Sequence, residues 1–311
     1  MHRFLAVACI VLGLAPCALM PQRAWAQGSN DPVANVPKLL QVLSRDGFEA
    51  LPGQFKILNP VSMACTGAIP TTFYNNVQAY MSVILPGSVD DLNPKIRWER
   101  TKRALFPVTY LLRQDEAILL VGSTPPPMAY FSFQTFLFGR YNPATYSYNP
   151  ATGGFFRPYE APFAYLGDTV NSLTVRTTGS APYNRPMALI STGNRQTQER
   201  VRAALRAAGY PDTIINTETL PPSLVRFGYE KADQFLFLMR MAIAAGGGDA
   251  IDEFEKRVET GSVLQVFRVR PKKEFASDPL PAPVLRTRGT GKTEMDLYPT
   301  MEKLRQEILA H

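Results

Sequence analysis

Histidine is nearly absent: 311 residues hold two, His2 and His311. The first lies in a segment that reads as a removed leader, and the second is the last residue, where chains usually fray. Imidazole is the side chain that trades protons near neutrality, and it is the commonest metal ligand. Its scarcity argues against a Ser-His-Asp triad, a Cys-His pair, a histidine-built zinc site and an H-E-x-x-H metalloprotease. Cysteine is almost as scarce, at Cys9, Cys17 and Cys65. Loss of the leader leaves Cys65 alone, and one thiol makes no internal disulfide, zinc site or c-type haem attachment. With no imidazole to depress its pKa, Cys65 in Met63-Ala64-Cys65-Thr66-Gly67 reads as a small buried thiol. Long apolar runs are missing too. The best after the leader, Phe235 to Ala245, is interrupted by Arg240 and is shorter than the roughly 20 residues of a membrane-crossing helix. The expectation is no metal, no cofactor and no transmembrane segment after cleavage.

What is present begins with the leader. His2 and Arg3 give a basic start, Phe4 to Leu14 is apolar apart from Gly13, and Pro16 and Pro21 break the run. Ala24-Trp25-Ala26 then fits the small-x-small pattern of signal peptidase, so residues 1–26 are expected to be a signal peptide cleaved after Ala26. An apolar run of about 11–17 residues is short for an anchor, and Pro16 is a poor neighbour for lipoprotein cleavage at Cys17. The expected location is the periplasm or the exterior. Cleavage removes Arg3 and Arg23 and no acidic residue, taking the formal charge from +7 to +5. Outside the cytoplasm such a balance suits anionic surfaces or acidic small molecules, not nucleic acid, or is simply a solvating surface.

The expected class is α+β. Residues 27–184 read as a sheet-rich, mixed or antiparallel half. Val36 to Arg45 is a short helix with Leu39, Leu40 and Leu43 on one face and Gly47 after it. Phe73 to Leu85 is ambiguous between helix and strand. Val108 to Leu112 and Ala117 to Val121, joined by Arg113-Gln114-Asp115-Glu116, read as a hairpin. Tyr130 to Phe138 reads as a strand covered on both faces. Between 139 and 166 a seven-residue duplication, 141–147 and 148–154, repeats Tyr-Asn-Pro-Ala-Thr, with eight aromatic residues from Tyr141 to Tyr165. It is expected to be a long irregular loop, whether a binding loop or a cover for the sheet.

Residues 185–271 read as strand (Met187 to Ile190), helix (Arg195 to Ala208, stopped by Gly209), strand (Thr213 to Thr217), strand (Gln234 to Ala242), helix (from about Asp249) and strand (Val263 to Val269). That is the βαββαβ order of a ferredoxin-like plait; two separate βαβ units on a larger sheet are the other arrangement. Residues 272–311 form an extended tail through Pro279, Pro281 and Pro283, then a helix from about Pro299. Its Leu304, Ile308 and Leu309 make a stripe able to dock on the body.

No motif identifies a family. Gly289-Thr290-Gly291-Lys292-Thr293 ends like a phosphate loop, but the glycine needed five residues before Gly291 is Arg286. What survives is an anion contact from Arg286, Arg288, Lys292 and the glycine-rich backbone. Thr192-Gly193-Asn194 before a helix is a second anion candidate, although these residues are ordinary caps. Tyr148, Asp168 and Asn171 could line a pocket of the aromatic segment, and Glu160 with Asp168 could pair as acid and base; a turn-forming Asp168 explains the same residues. The expected function is an extracytoplasmic protein binding a small acidic or aromatic ligand or an envelope protein partner. The alternative is a histidine-independent hydrolase or isomerase using carboxylate or tyrosine chemistry, and a third is a purely structural module.

Overall fold

The run Ala-Ile-Leu-Leu-Val at 117–121 has no polar alternation, the pattern of a strand buried on both faces, and it lies in the middle of one of two large sheets. In chain order the computed structural model contains α1 (Val36–Arg45), β1 (Phe48–Pro52), β2 (Gln54–Leu58), β3 (Gln78–Ile84), β4 (Thr109–Tyr110), β5 (Ala117–Ser123) and β6 (Met128–Tyr141). There follow β7 (Ser147–Asn149), β8 (Gly154–Phe156), β9 (Tyr159–Glu160), β10 (Ala164–Tyr165), β11 (Val170–Asn171), β12 (Pro186–Thr192), α2 (Arg195–Ala208) and β13 (Ile215–Thr219). The last elements are β14 (Gln234–Ala244), α3 (Gly247–Glu259), β15 (Leu264–Pro271) and α4 (Tyr298–Leu309). The residues described are 31–58, 78–86, 108–142, 147–149, 154–156, 159–160, 162, 164–167, 169–282 and 298–310; for 78–79, 147–149, 154–156, 159–160 and 298 this means the backbone alone.

The first sheet has the order β1-β15-β5-β12-β13, antiparallel except for the parallel pair β12 and β13. The second has the order β10-β6-β14-β3-β2, antiparallel throughout, with β9 and β11 also on β6 and β4 on β14. Ile118, Leu120, Met187, Leu189, Leu264 and Val266 from the first sheet share a core with Phe131, Phe133, Phe237, Met239 and Met241 from the second. On the other face of the first sheet, Leu119, Ile190 and Phe267 pack on Leu39 and Leu43 of α1 and on Val201 and Leu205 of α2. The layers are therefore helices, sheet, sheet, an α+β arrangement. Phe254 and Val258 of α3 enter the core between the sheets.

The chain passes from β1 in the first sheet to β2 in the second through Gly53. Its N–H donates to the Val266 carbonyl at 2.8 Å, and a Cβ there would stand 2.9 Å from the Ile84 carbonyl oxygen. That corner requires glycine. The two best-patterned helices form as their spacing predicts: α1 ends before Gly47 at φ +82°, and α2 ends at Gly209 at φ +105°. Within the segment from 73 to 85, the described residues Gln78–Ile84 are strand, β3.

Three expectations change. The hairpin does not form: β4 joins β14 in the second sheet and β5 lies in the first, so residues 113–116 cross between sheets. The βαββαβ elements occur in the expected order but do not share one sheet. β12, β13 and β15 belong to the first sheet, with β5 between β15 and β12, and β14 lies in the second. β14 is apolar on both faces, with Phe235, Phe237 and Met239 on one side and Leu236 and Leu238 on the other. Such a strand needs partners on both edges, and β6 and β3 from the first half supply them. The aromatic segment also has more order than expected: β7 and β8 pair as a two-stranded ladder, and β9 and β10 extend the second sheet along β6.

Candidate functional site

Of Tyr148, Asp168, Asn171, Arg286, Arg288 and Lys292, Asn171 alone has a described side chain. Its Nδ2 donates to Thr169 Oγ1 at 2.7 Å, and its Oδ1 accepts from the Leu173 N–H at 2.8 Å. Both ends of the amide hold the turn that follows β11. Tyr148 sits opposite Phe155 in the β7–β8 ladder. Asp168, Arg286, Arg288 and Lys292 lie outside the described residues, as does Cys65. Glu160 is paired along the backbone with Arg140.

The turn before α2 is accounted for by capping. Asn194 Oδ1 accepts from the Thr197 N–H at 2.9 Å, the Arg195 N–H donates to the Asp278 carbonyl at 2.7 Å, and the Leu280 N–H donates to the Gly193 carbonyl at 2.9 Å. The start of the tail thus occupies the end of the helix where an anion would bind.

Among the described residues, sequence reasoning missed a buried group of ionisable side chains. Arg268, Ile118, Ser191 and Glu218 stand opposite one another in a single row across β15, β5, β12 and β13. At one end, Arg268 Nη1 donates to Glu116 Oε2 at 3.1 Å and its Nη2 to the Leu111 carbonyl at 2.9 Å. Glu116 also accepts from the Tyr229 hydroxyl at 2.6 Å and the Arg113 N–H at 3.0 Å. Burial, then the charge of Glu116, pushes the Tyr229 hydroxyl well above the usual phenol range.

At the other end, Glu218 bridges the two sheets. Its carboxylate accepts from the Thr135 N–H at 2.5 Å, from Thr135 Oγ1 at 2.8 Å and from Ser191 Oγ at 2.6 Å. Burial raises its pKa, and those three hydrogen bonds work against the shift. Burial raises the neighbouring Tyr110 hydroxyl as well. All of these groups except Tyr229 and Arg113 are buried. Hydroxyls, an amide and two carboxylates packed this way fix the facing of β13 and β6, because a slip of either strand would strand a charge in the core. The signal in the sequence was the polar alternation in Ile-Asn-Thr-Glu-Thr and Val-Phe-Arg-Val-Arg, which resembles a solvent face.

Among the described residues no group of three His, Cys, Asp or Glu side chains is placed to hold a metal ion, and no helix is long and apolar enough to cross a membrane. Among the described residues, the largest group of exposed apolar side chains on one element is on α4. Met301, Leu304, Ile308 and Leu309 are each more than half exposed, so the stripe expected to dock on the body is open. Comparisons with protein-family models, with curated proteins and with solved structures gave no match.

Proposed function

We propose that the protein works outside the cytoplasm as a non-catalytic interaction protein that seats α4 in an apolar groove of a partner protein. One observation carries this reading: Met301, Leu304 and Ile308, spaced 3 and 4 apart on one face of α4, are all in solvent. Full burial of such a side chain is worth roughly 1.5–3 kcal/mol. A helix of 12 residues is marginal alone and gains its stability when its apolar face is covered.

The polar face favours a protein over a lipid surface. Arg305 Nη1 pairs with Glu302 at 3.0 Å and Lys303 Nζ with Glu307 at 3.9 Å, so its charges cancel on the helix itself. Membrane-surface helices carry an excess of Lys and Arg there. Anchors at such spacing suit helix-in-groove recognition.

The test is the native size of the leader-bearing chain expressed in its own envelope. The wild type is expected in a complex larger than its monomer, and a Leu304→Asp, Ile308→Asp variant with unchanged melting temperature is expected as monomer. Monomer in both cases would overturn the reading. So would a purified protein that dimerises through α4, which makes the partner a second copy. Substrate turnover abolished by Asp168→Asn would favour the histidine-independent enzyme instead.

A further inference from the structure

We infer that α3 carries a binding site for an organic cation, an alkylammonium or guanidinium group, at the carboxylates of Asp252, Glu255 and Glu259. Positions three and four apart on a helix are neighbours on one face, with Cβ atoms about 5–6 Å apart. Glu255 is flanked in this way by Asp252 and Glu259.

Glu255 is the exception among the buried acids of the described residues. Asp115 binds Arg113 and the Phe275 N–H, Asp233 binds Arg140 and the Arg226 N–H, and Glu116 and Glu218 are held as described. Glu255 is 8% exposed, yet its Oε1 has no hydrogen-bond partner. Buried polar atoms are rarely left so. Among the described residues no ion pair includes any of the three carboxylates. Lys256, four residues after Asp252 and three before Glu259, borders the same face but is exposed and pairs with neither, and Arg257 projects from another face. The negative end of the helix lies in its last turn, where Glu259 stands beside Lys256 and Arg257.

The cations on the strands that α3 packs against are engaged or turned to solvent. Arg268 is on Glu116, Arg270 on Glu49, and Arg240 lies 5.6 Å from the centre of the Tyr80 ring. Lys56 of β2 is exposed. Burial first, then Asp252 and Glu259, holds the Glu255 carboxyl up at about 7. A cation arriving at that carboxyl near neutrality displaces its proton.

The ligand class follows from geometry. No group of three acids among the described residues is placed for a metal ion, whereas an ammonium or guanidinium donates hydrogen bonds to carboxylates spread along a helix face. The same chemistry arrives as a free polyamine or as a lysine or arginine of another protein. The site is independent of α4.

Calorimetric titration of the full chain with spermidine, with a lysine-rich peptide and with calcium chloride tests the inference. Saturable binding of spermidine or of the peptide is expected, with proton release at pH 7 and at least about tenfold loss in Glu255→Gln. Glu253→Gln, on the exposed side of the same helix, is expected to bind as the wild type does. Tighter binding of spermidine assigns the free amine, and tighter binding of the peptide assigns a protein side chain. Absence of saturable binding, equal losses in the two variants or preferential calcium binding would each overturn it. Glu255→Gln removes a buried carboxylate and is expected to fold, which its melting temperature verifies.

Discussion

Arg268 and Glu116 pair at 3.1 Å with neither side chain exposed to solvent. A buried pair adds little net stability over an apolar replacement, but removal of one member leaves an uncompensated charge and costs about 3–5 kcal/mol. Arg268→Met is therefore expected to lower the urea midpoint sharply. Adding Glu116→Leu is expected to recover part of the loss. Recovery is incomplete because the Tyr229 hydroxyl and the Arg113 N–H also donate to Glu116. A single variant within about 1 kcal/mol of wild type would contradict this account.

Stability is expected to fall as pH rises from about 4.5 to about 7, the ordinary and the raised values for Glu255. In that window the folded chain binds more protons than the unfolded chain, so each rise in pH favours unfolding. Glu218 is shifted in the same direction and adds to the slope. Glu255→Gln is expected to flatten the slope in a series of melting temperatures across these pH values. An unchanged slope would show that Glu255 is ionised in the fold.

Ile243 holds φ +54° at the end of β14 with its side chain 71% exposed. The left-handed region costs a residue with a Cβ roughly 1–2 kcal/mol, and β-branching makes it an outlier. Ile243→Gly is expected to leave stability unchanged or raise it by up to about 1 kcal/mol. A clear loss of stability on chemical denaturation would mean that the isoleucine packs on something it needs.

Gly53→Ala is expected to destabilise by about 1–3 kcal/mol, the usual cost of overpacking. The added methyl would press on the Ile84 carbonyl and the Leu85 side chain, both 2.9 Å from the Cβ position. The chain cannot shift there without losing the bond from the Gly53 N–H to the Val266 carbonyl. Denaturation of purified Gly53→Ala at the wild-type midpoint would refute the steric argument.

Local pattern was legible in the sequence, and partnership was not. The spacing of Leu39 and Leu43, the glycine after Ala208 and the Asn194 cap mark α1 and α2 to the residue. These signals act within one turn of the chain. The choice of β6 and β3 as neighbours for β14 depends on contacts about a hundred residues or more away, which periodicity does not encode. The same limit hid the polar row: Glu218 and Arg268 alternate with apolar neighbours as solvent-facing residues do, and only the stacking of two sheets turns that face inward. Glu255 could have been found. It lies four residues after Ile251 and one after Phe254, at the border of the buried stripe of α3, where a carboxylate needs a partner.

The most direct test of the central claim is photo-cross-linking in the envelope from benzoylphenylalanine placed at Leu304 of α4. The account predicts one protein adduct of fixed mass from position 304 and none from Gln306 on the opposite face. Identical adducts from both positions, or none from position 304, would contradict it.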